Sequence, residues 1–138
     1  MKQVIACITL FFLFFSGGQN KGRTTLDFNF DWKFCLGDEA AWSAPGLDDS
    51  GWRALHLPHD WSIEGEFSSK NPAGVNGGAL PGGIGWYRKH FRTPEAERVA
   101  VEFDGVYMNS TVWVNGKEVG GRPYGYSSFC LDITPALN

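Results

Sequence analysis

Cysteine, histidine and clustered charge are all scarce in this sequence. Only three cysteines occur in 138 residues, with no CxxC pair and no His/Cys cluster, so nothing suggests a zinc site or a disulfide framework. His56, His59 and His90 are too dispersed to be read as metal ligands, and no cofactor is indicated. Twelve basic residues are scattered against 15 acidic ones, for a formal net charge of −3, and no cationic run exists to bind nucleic acid. No apolar run approaches the roughly 20 residues that span a bilayer. The glycines at 83 and 85 lack the third glycine of a dinucleotide fingerprint and lead into a strand, which removes the phosphate-cradle reading. Helix-period patterning is sparse.

What the chain does have is glycine (18), proline (7) and aromatic residues (15%), arranged as short alternating runs between turns. This is an all-β composition, and 138 residues fit one domain. Two apolar strands within Phe103 to Gly121 meet at Asn115-Gly116, a pair that accepts the positive φ required at both centres of a type I′ turn. Val106, Met108, Val112 and Val114 share the face of that hairpin expected to be buried. Leu26, Phe28, Phe30, Trp32 and Phe34 alternate with polar residues and predict a strand with one apolar face. Further strands are expected over Trp52–Leu57, Trp86–Phe91, Val99–Phe103 and Phe129–Ile133, joined by a polar loop (37–51) and a long Gly/Pro loop (71–85). Short strands with loops between them suggest a β-sandwich of jelly-roll type.

Residues 1–18 stand apart. Lys2, the apolar run Val4–Phe15 and the small residues Ser16, Gly17 and Gly18 have the layout of a secretory signal peptide, which predicts export to the periplasm or the extracellular space. Its removal leaves Cys35 and Cys130. They could pair in an oxidising compartment, though two cysteines in a core-rich domain are more often small buried hydrophobes.

Five stretches then resemble one family in order: DWKF (31–34), LPHDWSIEG (57–65), LPGGIGWYRKHF (80–91), FDGVYMNSTVWVNG (103–116) and PYGYSSFCLDITPAL (123–137). They are similar to the N-terminal sugar-binding domain of glycoside hydrolase family 2, in its β-galactosidase-like branch, over residues 24–138. The resemblance implies a galactose-binding-domain-like jelly roll, incomplete here, followed in the parent protein by an immunoglobulin-like sandwich and a TIM barrel. That barrel would carry two catalytic glutamates, and the retaining reaction places such carboxyls about 5–5.5 Å apart. The implied partners are a β-galactoside and the remaining domains of the enzyme. The implied catalytic contribution of these 138 residues is none.

The loop Leu57–Gly65 is the candidate binding element, because loops at the rim of a rigid sandwich are where binding groups are placed. Asp60 can accept hydrogen bonds from sugar hydroxyls, and the ring of Trp61 suits the C–H face of a sugar. Capping its own turn is the rival role for Asp60. Glu64 and Glu66 complete a cluster that surface solvation explains equally well. Trp32, Trp52 and Trp113 fit packing in the sandwich better than stacking on sugar. The glycines of 71–85 serve either a mobile loop or tight turns. Two functions of different class therefore remain: the front of an exported β-galactosidase-like hydrolase, or a free-standing carbohydrate-binding or adhesion sandwich. A fragment with no activity is a third reading.

Overall fold

The computed structural model describes residues 22–72 and 74–138, so the expected leader lies outside the described residues. Among them are seven strands: β1 (Trp32–Leu36), β2 (Arg53–Leu55), β3 (Gly85–Arg88), β4 (Ala100–Phe103), β5 (Ser110–Val114), β6 (Lys117–Arg122) and β7 (Phe129–Asp132). All pairings are antiparallel. They form a three-stranded sheet in the order β2-β1-β3 and two ribbons, β4-β7 and β5-β6. Single 3-10 turns, such as Ser62–Glu64 and Thr134–Ala136, are the remaining regular elements. The fold is all-β and of the sandwich class expected from the sequence.

The register of β1 decides what each face carries. Phe34 lies opposite both Arg53 and Tyr87, so these three share one face of the sheet. Lys33 lies opposite Arg88, and Cys35 opposite Trp86, on the other. On that second face Trp86 stacks on Trp113 of β5 with ring centres 5.0 Å apart and nearly parallel. Trp42 meets Trp86 edge-on at 6.1 Å and Trp52 at 5.0 Å. These rings join the three-stranded sheet to the β5-β6 ribbon, which bears out the packing role expected for Trp52 and Trp113. Trp32 is also structural, donating its Nε1 hydrogen to the carbonyl of Phe28 at 2.7 Å.

A carboxylate is buried beside the tryptophans. Asp49 accepts from Lys33 Nζ at 2.8 Å, Arg88 Nε at 3.2 Å and His90 Nε2 at 2.9 Å. The Lys33 hydrogen bond, reinforced by His90 and Arg88, outweighs burial and holds the Asp49 carboxyl far below the usual carboxylate range. A second buried point is Ile133, 1% exposed, which follows β7 and donates its backbone N–H to Val99 at 2.9 Å.

Three expectations are corrected. The strand predicted from Leu26 begins only at Trp32, because Asp31 adopts φ 57° and breaks the extended run. A short polar side chain tolerates that left-handed conformation. Leu26 and Phe30 are exposed, while Phe28 turns aside to meet Trp32 and Phe91 edge-on. The hairpin arm predicted from Phe103 likewise begins at Ser110, since Asn109 sits at φ 56°. Met108, expected inside, is exposed, and a bulge between Val112 and Trp113 lets both faces of β5 find cover. Cys130 is exposed rather than buried; Cys35 is half-buried, and both are free thiols. The type I′ turn itself is present, with φ 51° at Asn115 and 80° at Gly116.

Candidate functional site

The loop expected to bind lies against the open face of the three-stranded sheet. Asp60 Oδ1 accepts the Ser62 backbone N–H at 2.9 Å and the Ser62 hydroxyl at 2.6 Å, an Asx turn that opens the 3-10 turn Ser62–Glu64. The capping role is therefore real for this carboxylate. Both bonds end on Oδ1; among the described residues none reaches Oδ2. Trp61, half-buried, lies over the start of β3. A methyl group at Gly85 would stand 2.8 Å from Trp61 Nε1 and 2.9 Å from Phe34 Cε2, so only glycine lets that ring settle.

Trp61 forms one wall of an open cleft of about 230 Å³ whose other walls are Phe34, Leu36, Glu64, Gly65 and Pro81. It combines aromatic and aliphatic surface with one carboxylate, a lining suited to an uncharged ligand that has both hydroxyls and an apolar face. Asp60 and Trp61 are neighbours in the chain, but only Trp61 lines this cleft; Asp60 is exposed at its margin.

Behind the cleft, four polar side chains converge that sequence reasoning did not group. Arg53 Nη2 lies 2.9 Å from Glu64 Oε2 and 2.6 Å from His59 Nε2. His59 Nδ1 lies 2.8 Å from the Tyr87 hydroxyl, and its Nε2 lies 3.2 Å from Glu64 Oε1. An arginine can only donate, so a neutral His59 accepts at Nε2 and carries its proton on Nδ1, facing Tyr87. The Arg53 hydrogen bond outweighs burial and lowers the Glu64 carboxyl below its ordinary value. Burial, followed by the negative charge of Asp60, pushes the Tyr87 phenol up to about 12. The available signal was the short spacing of His59 and Glu64 within one loop. Arg53 and Tyr87 join them only through the β2-β1-β3 pairing. Glu66 stands apart, its backbone carbonyl taking the Asn71 side-chain amide. The histidines go separate ways, with His56 accepting from the backbone of Asp31 and His90 on Asp49. Among the described residues no group of three His, Cys, Asp or Glu side chains could hold a metal ion.

No family model matches the chain. A beta-galactosidase of Bacteroides ovatus is 57% identical over 118 residues, covering 83% of this chain and 14% of its own length. A crystal structure of a beta-glycosidase from Bacteroides vulgatus superposes with a TM-score of 0.78 at 47% identity, over 82% of this chain and 15% of that one. A glycosyl hydrolase family 2 member from Bacteroides cellulosilyticus superposes at 0.76 with 43% identity, over 82% of this chain and 16% of its own. The chain belongs to glycoside hydrolase family 2. Other relatives bear the name beta-glucuronidase. The chain spans 10–16% of the length of the curated relatives it is compared with. Its cleft and its buried Asp49 are thus features of one segment of a family 2 protein.

Proposed function

We propose that this chain is the sugar-binding first domain, wound as a jelly roll, of an exported β-galactosidase-like enzyme that hydrolyses O-glycosyl bonds. Its identity of 57% to the Bacteroides ovatus beta-galactosidase is the observation that carries this reading. The cleft supports it, because Trp61 offers a ring to a sugar's C–H face and Asp60 keeps one carboxylate oxygen for a hydroxyl. The chain contributes binding and positioning; the two carboxyls of a retaining hydrolase belong to the remaining domains. Export rests on the leader layout of residues 1–18, and mass spectrometry of exported protein should find an N-terminus beyond Ser16.

The test is hydrolysis of chromogenic β-galactosides and β-glucuronides by the complete protein that carries this chain. Turnover of the galactoside is expected, with KM raised about tenfold in Trp61→Ala, the loss of one good stacking contact. Asp60→Asn keeps the Oδ1 acceptor for Ser62 and removes only the charge, so it separates sugar contact from turn capping. Binding of galactosides without turnover would favour the free-standing binding sandwich. Hydrolysis of the glucuronide alone would move the substrate to the other group of relatives.

A further inference from the structure

Of the two carboxylates in the loop Leu57–Gly65, only Glu64 forms a wall of the Trp61 cleft. Asp60, whose Oδ1 caps its own turn, stays at the margin. Among the described residues no cation lines the cleft, so Glu64 is its one charged wall.

This carboxylate is set in place from behind. Arg53 Nη2 spans both of its oxygens, 2.9 Å from Oε2 and 3.1 Å from Oε1. The guanidinium is fixed in turn, lying over the Phe34 ring at 5.3 Å from its centre and 2.6 Å from His59 Nε2. With His59 neutral, that nitrogen has no hydrogen to give Glu64, so Arg53 alone of the two engages the carboxylate. Each carboxylate oxygen has two acceptor sites and keeps one of them for a donor arriving from the cleft. The Arg53 bond also holds Glu64 ionised. An acceptor fixed beforehand loses little freedom when a ligand binds.

Such a wall discriminates by charge. A carboxylate accepts hydrogen bonds and gives none, so it suits a sugar hydroxyl, which donates. A uronate carries a carboxylate where the parent sugar has its primary alcohol. The cleft, about 230 Å³, is small enough that this group would stay within the screening length of ~8 Å from Glu64, whichever way the ring faced. Asp60 adds a second negative charge at the margin, and Arg53 is already engaged by Glu64.

We propose that Glu64 receives a sugar hydroxyl in the Trp61 cleft and that its charge reserves the cleft for uncharged sugars, with Arg53 as the residue that positions it. This rests on the sugar-binding reading above and deepens it. It adds a contact residue to Trp61 and Asp60, and gives a reason for neutral over anionic sugars.

The experiment uses the complete protein that carries this chain, with galactose and galacturonate as matched probes. Binding is followed by Trp61 fluorescence, taken as the difference from Trp61→Phe, so that the cleft itself is read. At low salt galactose should bind at least about tenfold tighter than galacturonate. In about 0.5 M salt the gap should narrow, because screening reaches an open cleft; this readout needs no variant to fold. Glu64→Gln should weaken galactose about tenfold, the loss of a charged acceptor, and bring the two probes within about threefold of each other. Arg53→Met, which leaves the charge without its support, should weaken galactose and still reject galacturonate. Equal affinity of the parent for both probes would overturn selection by charge and leave the sugar reading of the cleft intact. A gap that neither salt nor Glu64→Gln alters would overturn it too. So would a gain of galacturonate in Arg53→Met as large as in Glu64→Gln, since a loosened loop would then be the cause. A Trp61 signal that moves with neither probe would overturn both the charge selection and the sugar reading.

Discussion

The Lys33 ammonium lies 2.8 Å from Asp49 Oδ1, and the two residues close the inner face of the three-stranded sheet. Asp49 is 7% exposed, so its charge persists only because Lys33, Arg88 and His90 surround it. Asp49→Asn should destabilise the fold by about 3 kcal/mol, since it leaves two cations facing a neutral amide in a largely dry site. Chemical denaturation of the variant beside the parent measures this.

The same carboxylate sets an acid limit. Its folded-state value is depressed, so the unfolded chain binds the proton more readily and the stability from Asp49 rises with pH. That contribution is complete above the unfolded value of about 4 and is lost as pH falls below it. Denaturation midpoints taken between pH 6 and pH 2 should fall for the parent and fall less for Asp49→Asn. Parallel curves would place the acid sensitivity elsewhere.

At Gly85, space rather than dihedral angle is the constraint. Gly85→Ala should push Trp61 off the start of β3 and weaken sugar binding in the cleft several-fold. Trp61 fluorescence, read as the difference from a Trp61→Phe parent, should shift to longer wavelength as the ring becomes wetter. An unshifted spectrum with unchanged binding would show that the backbone yields instead.

For the hairpin, Gly116→Val places a β-branched residue at φ 80°, with its Cβ 3.1 Å from Pro45 Cδ. The expected cost is about 1–3 kcal/mol, that of a strained backbone position. An unchanged melting temperature would mean that the turn rearranges freely.

Tyr87 provides a spectroscopic handle on the polar group behind the cleft. With its phenol pushed up to about 12, it should remain un-ionised through pH 10. Absorbance near 295 nm, compared with Tyr87→Phe, isolates its titration. The variant also deletes the bond to His59 and should cost about 1 kcal/mol.

The features legible in the sequence are those governed by neighbours along the chain. Asn115-Gly116 accepts positive φ at little cost, and Asp60 can reach the N–H two residues on, so both turns follow from local chemistry. Alternating residues similarly announced an all-β fold and the approximate position of each strand. Tertiary structure decided where alternation stops and which side chains meet. Period-2 spacing cannot tell whether Asp31 or Asn109 will turn left-handed, and each such turn leaves the residues before it outside the strand. Nor can spacing along the chain bring Arg53 and Tyr87 to His59, or Asp49 to Lys33 and Arg88. Those groupings exist because strands far apart in the chain pair with one another, and hydrogen-bonding register, unlike a turn, is settled only when both partners are present.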